Sequence, residues 1–173
     1  LYINFIYVYT YTIDHMNFLT KKYKSIIFRL KNKTDLDNLK IKKKNLNSLF
    51  NYFGTDKGNK LSNPYSKLKE KKLFRGHGFA KYYEKNFYKL KKKKLNILEI
   101  GVWKGASTAS FYHYFKQSKL FAIDRNFKFE YLSKRIHFVF CDTTSKKDLN
   151  SLKNLMKSKK VLSFDIIIDD GSH

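Results

Sequence analysis

Apolar residues along this chain keep two different rhythms, and the change between them falls near Asn96. Upstream, Leu36, Leu39, Leu46, Leu49, Phe50 and Phe53 recur at steps of three, four and seven, with the lysines of 40–44 spread over the other faces. That spacing makes one apolar stripe on a helix, and it reads as packed core rather than as a partner surface. Thr34 followed by Asp35 and Asp37 has the form of an N-cap with acids in the first turn, where the helix dipole favours negative charge. The pattern predicts a helix that starts at Thr34 and ends at Gly54. Loop 54–65, with Gly58, Asn59, Asn63 and Pro64, is the most irregular stretch. A second helix is predicted over about 78–90, with Phe79, Tyr82, Tyr83 and Phe87 on one side, and the lysine run 91–94 reads as a solvated connector.

From Asn96 the texture becomes short apolar runs alternating with amphipathic segments, the signature of βαβ units. It predicts strands 96–102, 119–124, 136–141 and 164–169, with helices 106–116 and 146–157. Phe164-Asp165-Ile166-Ile167-Ile168 is apolar on both faces, as a parallel strand covered by helices requires. The expected fold class is α/β: a Rossmann-like, doubly wound parallel sheet, truncated after its fourth strand, with an N-terminal helical extension. Three segments follow: an extension over 1–33, a helical segment over 34–94 and the N-terminal half of the sheet domain over 95–173. A length of 173 residues suits one catalytic domain with a helical addition. A start at Leu1 instead of Met and a stop at His173, just after an apolar run, are expected to be fragment ends.

Charge changes this picture less than its size suggests. The formal net charge is +23, which taken alone points to phosphates or an anionic membrane. Residues 1–95 hold 24 basic and 6 acidic residues, against 13 and 8 in 96–173, so the excess lies outside the sheet-forming part. Lys, Asn, Ile, Tyr and Phe are also the residues that AT-rich codons favour, and all five are abundant. Genome composition is the preferred reading, and a nucleic-acid partner is not expected. Cys141 is the sole cysteine, which rules out an intrachain disulfide or a Cys-rich zinc site and suits a reducing cytoplasm. The apolar stretch 1–13 is too short to span a bilayer and has no basic leader, so neither export nor a membrane anchor is expected. Met16 follows closely, and 1–15 is a candidate for upstream translation.

The strand Asn96-Ile97-Leu98-Glu99-Ile100 runs into Gly101-Val102-Trp103-Lys104-Gly105-Ala106-Ser107 and then a helix, a turn at which a nucleotide-type ligand can sit. Gly101 and Gly105 admit the ligand to the backbone, and the helix N-terminus offers free N–H groups. The glycine spacing is wrong for a dinucleotide, which needs G-x-G-x-x-G. Glu99 would repel a pyrophosphate but attract an ammonium group. Asp124 stands 23 residues beyond Gly101, near the spacing of about 20 at which an acid takes ribose hydroxyls. Asp142, past the third strand, can reach an adenine edge. These acids share one edge of the sheet, outside the carboxyl ends of parallel strands, where ligands bind. Asp169 and Asp170 then point to opposite sides of a strand end, one towards the cofactor and one towards a cleft where a hard cation such as Mg2+ takes oxygen ligands. His173 is a candidate general base.

Taken together, these residues resemble the class I methyltransferases of the macrolide-sugar type, such as the mycinamicin and macrocin O-methyltransferases, with cephalosporin hydroxylases among their relatives. Four blocks carry the resemblance, over roughly residues 50–173: Gly54-Thr55-Asp56-Lys57-Gly58; His77-Gly78 with Tyr82-Tyr83-Glu84; Leu98-Glu99-Ile100-Gly101-Val102 with Gly105 and Ser107; and the run from Phe164 to Asp169-Asp170-Gly171-Ser172-His173. The resemblance implies S-adenosylmethionine as cofactor, held by Glu99, Gly101, Gly105, Ser107, Asp124, Asp142 and Asp169, with Thr55 as a further contact. It implies Asp170 as a ligand of magnesium and His173 as the base. The activity implied is metal-assisted methylation of a hydroxyl on a small-molecule sugar or glycan, in a cytoplasmic enzyme that is inactive as this fragment; a homo-oligomer stays open. Trp103 and Lys104 make the turn bulkier than usual, Thr143 stands where relatives often have Gln, and the remaining metal ligands of the family would lie on a following strand. The alternatives are a hydroxylase on the same fold and a basic, non-catalytic nucleic-acid-binding protein.

Overall fold

Asn45, not Thr34, opens the helix that carries the leucine stripe. In the computed structural model, which describes residues 19–43, 45–62 and 74–171, the side chain of Asn45 accepts a hydrogen bond from Ser48 N at 2.8 Å and so caps α2 (Leu46–Phe53). Gly54, in the left-handed region at φ 74°, ends it as expected. Thr34–Asp35 is instead a short strand, β1, parallel to β6 (Tyr131–Leu132). The acids read as helix-start acids are occupied otherwise. Asp35 accepts from Asp37 N at 2.9 Å and Asn38 Nδ2 at 2.7 Å, a local turn that competes with a helix. Asp37 accepts from the Tyr112 hydroxyl at 2.8 Å, Ser133 Oγ at 2.8 Å and Lys134 N at 2.9 Å, tying this strap to the sheet domain. Those three bonds, the amide of Lys134 foremost, hold its carboxyl below the usual range.

The chain divides into two units, residues 1–32 and 33–173. In the first, α1 is helical through residues 19–30, with Leu19, Tyr23, Ile26, Ile27 and Leu30 exposed. No described helix is long and apolar enough to cross a membrane. Residues 1–15, Met16, Asn63, Pro64 and His173 lie outside the described residues.

The second unit is built on four parallel strands: β4 (Asn96–Ile100), β5 (Lys119–Asp124), β7 (Ile136–Phe140) and β8 (Ile166–Asp169), in the order β7-β5-β4-β8. Helix α4 (Ala106–Tyr114) links β4 to β5, and α5 (Lys146–Ser158) links β7 to β8. The four predicted strands and two predicted helices are therefore present: β5 spans the predicted range, α5 runs one residue beyond it, and the others are one or two residues shorter. Period-two alternation divides their side chains. Leu98, Phe121 and Ile123 face α5, where they form a core with Cys141, Leu152 and Val161. Ile97, Glu99, Leu120 and Ala122 face the other way, towards α4. That helix is buried on nearly every side because α2 covers it, with Phe50 edge-on to Phe111 at 5.4 Å. Helix α3 (Ala80–Phe87) adds Tyr83 and Phe87 to the same aromatic cluster, while Phe79 and Tyr82 stay exposed, so its apolar side is narrower than the sequence predicts. A small antiparallel pair, β2 (Leu61–Ser62) with β3 (Phe74–Arg75), closes the irregular loop.

Strand order places the site. The chain steps outward from β4 to β5 to β7, then returns to lay β8 on the other side of β4. The connections thus diverge on either side of β4, and a crevice opens beyond its carboxyl end.

Candidate functional site

A cleft of about 740 Å³ occupies that crevice. Its walls are loop 53–57, the turn after β4, the ends of β5 and β7, and Asp170-Gly171 after β8. Of the residues singled out from sequence, Thr55, Gly101, Ser107, Asp124, Asp142 and Asp170 line it. Glu99, Gly105 and Asp169 are not among its lining residues, and His173 lies outside the described residues.

The turn after β4 is held from several sides. Gly101 has φ +77°, and a Cβ there would come within 2.6 Å of Gly171 Cα and 2.7 Å of Asp170 O, so only glycine lets the ends of β4 and β8 close on each other. Gly105 has φ +89°, and a side chain there would run into the Phe129 ring. Gly105 therefore serves helix packing from behind the cleft wall rather than from within it. Trp103 also takes a left-handed conformation, φ +50°, which costs a residue with a Cβ about 1–2 kcal/mol. Its amide donates to Asp124 Oδ2 at 2.7 Å, and Lys128 Nζ lies 3.6 Å from its ring centroid.

Asp124 is buried at the end of β5, with Oδ1 accepting from Asn126 N at 2.7 Å as well. Two backbone amides fix the carboxylate at the cleft wall, and each oxygen keeps a lone pair for a ligand hydroxyl. Asp142 is held through a single oxygen, Oδ1, to which Thr144 donates from N at 3.0 Å and from Oγ1 at 2.7 Å. The first turn of α4, at Ala106 and Ser107, borders the cleft and carries no side-chain cap. Its amides are free to meet a negative group.

Glu99 does something other than the sequence suggests. Alternation along β4 turns it under α4, fully buried, where Ser107 Oγ donates at 2.5 Å and Thr108 Oγ1 at 2.6 Å. Burial lifts its carboxyl above the usual range, against the pull of Lys57 and the two hydroxyls. It is a support beneath the turn, not a wall of the cleft. The paired acids part company at the strand end. Asp169 still belongs to the ladder, opposite Ile100, and its Oδ1 accepts from Gly171 N at 3.1 Å. Asp170, one residue past the strand, is the one that faces the cleft.

Sequence reasoning passed over Lys57. Its side chain is 3% exposed and pairs with Asp170 at the cleft wall. Burial alone would draw its ammonium down, but the carboxylates of Glu99, Asp170 and Asp56 together lift it above the ordinary lysine range. A lysine set between Asp56 and Gly58 in a tight loop was the available signal, since lysine is almost never fully buried unless paired. No group of three His, Cys, Asp or Glu able to hold a metal occurs among the described residues. Asp170, the carboxylate expected to take a metal, lines the cleft and is there paired with Lys57.

No protein-family model matches the chain. Among curated proteins it is similar to demethylmacrocin O-methyltransferase of Streptomyces fradiae, 29% identical over 104 residues, covering 56% of this chain and 25% of that protein. It is also similar to mycinamicin VI 2''-O-methyltransferase of Micromonospora griseorubida, 27% identical over 104 residues with the same coverage. The match therefore spans about a quarter of the length of these relatives. Among solved structures the fold matches MycE methyltransferase from the mycinamycin biosynthetic pathway in complex with Mg and SAH, with a TM-score of 0.56 and 24% identity over 76% of this chain and 31% of that one. A second crystal of that enzyme, with Mg, SAH and mycinamycin VI, gives 0.55. The fold is thus Rossmann-like, of the kind methyltransferases use, and the resemblance to macrolide sugar O-methyltransferases holds in both sequence and fold.

Proposed function

We propose that this chain carries the S-adenosylmethionine-binding half of an O-methyltransferase whose acceptor is a sugar hydroxyl. The carrying observation is Asp124: a buried carboxylate at the end of the second sheet strand, fixed by Trp103 N and Asn126 N on the wall of a cleft at the point where the strand order reverses. The similarity to two sugar O-methyltransferases supports the acceptor class.

The chain's own residues divide the work. Asp124 offers its remaining lone pairs to the two ribose hydroxyls. Asp142 and Thr143, at the end of β7, border the cleft where the adenine edge would lie. Gly101 leaves the turn open to the ligand, and the uncapped amides of Ala106 and Ser107 suit the carboxylate of the amino-acid end. Thr55 closes the opposite side from loop 53–57. When bound, S-adenosylmethionine supplies a methyl group activated by its sulfonium. Asp170 would be this chain's contribution to a magnesium ion, which commonly takes one or two protein carboxylates and completes its shell with water and substrate oxygens.

Isothermal calorimetry with S-adenosylhomocysteine tests the reading, because product binding requires no acceptor. The wild-type chain is expected to bind, and Asp124→Ala to bind about 10- to 100-fold more weakly, the loss of charge-assisted hydrogen bonds of about 1.5–3 kcal/mol. Absence of binding by the wild-type chain sinks the proposal.

A further inference from the structure

Loop 54–58 leaves α2 at Gly54 and is stitched to residues 76–78 by backbone bonds, from His77 N to Asp56 O at 2.7 Å and from Gly78 N to Gly58 O at 3.0 Å. These bonds hold the loop to its own helical segment and not to the sheet. The tie to the sheet is Lys57, whose ammonium pairs with Asp170 just beyond β8, 113 residues away in sequence.

Position and charge both make this pair more than a surface contact. Glu99 and Asp170 stand at the ends of neighbouring strands, with Asp170 N bonded to Ile100 O at 2.9 Å, and their two negative charges oppose each other. A cation facing both relieves that repulsion. Lys57 is supplied from outside the sheet, so it does this only while its loop lies against the cleft. Its own stem is buried, whereas the Asp170 side chain is 45% exposed. One side of the pair is thus anchored and the other open to solvent, which lowers the cost of parting them relative to a fully buried pair.

We propose that Lys57 is a latch: a positioning residue that, by pairing with Asp170, closes loop 54–58 over the cleft and so sets Thr55 on one wall and Asp170 on the other in a single step. The latch itself stands on geometry alone; its effect on ligand affinity rests on the cofactor reading of the cleft.

Hydrogen exchange followed by mass spectrometry on the whole chain tests it. Lys57→Met and Asp170→Asn are each expected to speed exchange of the 54–58 amides about tenfold, while the amides of β4 and β5 keep their protection. The double variant should add nothing further, and Lys57→Arg should restore protection, which a role in packing alone would not produce. Unchanged loop exchange in both single variants overturns the latch, as does equal loss of protection in loop and sheet in Asp170→Asn. Should Lys57→Met fail to fold, Asp170→Asn decides by itself. In parallel, S-adenosylhomocysteine affinity should fall about tenfold in Lys57→Met and recover in Lys57→Arg. If the wild-type chain binds none, the cofactor reading fails while the exchange data still decide the latch.

Discussion

At the scale of single residues, a carboxylate's direction matters more than its place in a motif. Glu99 sits where the turn motif begins, yet strand alternation sends its side chain beneath α4, to Ser107 and Thr108. Neutralising it therefore disturbs the support of the turn and leaves Lys57 facing one buried acid fewer. Glu99→Gln is expected to lower stability by about 1–3 kcal/mol in urea unfolding, the range for weakening a buried charged hydrogen bond. A residue that only touched a ligand would show no such loss. Trp103 illustrates the converse: the sequence shows a bulky residue in a glycine-rich turn, and the structure holds it there in a left-handed conformation through the Asp124 carboxylate and Lys128.

At the scale of elements, the leucine stripe was legible and its helical start was not. Leu46, Leu49 and Phe50 are buried in α2, and Leu36 is buried too, but from a strap that pairs with β6. Both settings bury leucine, so periodicity cannot tell them apart. The decision fell to side-chain partners: Asp37 to Tyr112 and Ser133, and Asn45 to Ser48 N. Asn45→Ala should cost about 1 kcal/mol, measured as a shift in the unfolding midpoint, because it removes the N-cap of α2. Thr34→Ala, at the predicted cap, should cost less. The βαβ elements were read more accurately, since strands buried on both faces and amphipathic helices between them leave few other arrangements.

At the scale of the whole molecule, pH reports on burial. His113, stacked on Phe53 at 5.6 Å, and His137, tilted over Phe121 at 5.1 Å, are both pushed below the ordinary histidine value, first by burial and then by nearby cations. Those cations are Arg135 and Lys116 for His113, and Lys159 and Lys119 for His137. Below pH about 6.5 the unfolded chain takes up protons that the folded chain resists, so stability falls as the pH drops through that value towards the lowered ones. The urea midpoint should be lower at pH 5 than at pH 7, and the histidine share of that difference should vanish in a His113→Phe/His137→Phe variant. Charge at this scale is less informative: +23 over the chain coexists with a cleft whose walls carry Asp124, Asp142 and Asp170.

The sequence by itself determined the sheet class, the order of its strands along the chain, the turn at Gly101 and the acids at the strand ends, because period, glycine and spacing are local properties. Only the tertiary structure decided which of those acids meet the cleft. Asp124, Asp142 and Asp170 do, whereas the alternation of β4 turns Glu99 beneath α4, and Asp169 is not among the residues of the cleft wall. It also brought in Lys57, from a loop 113 residues upstream of its partner. A contact of that range depends on where α2 ends and on how β8 returns beside β4, and neither is written in the residues around Lys57.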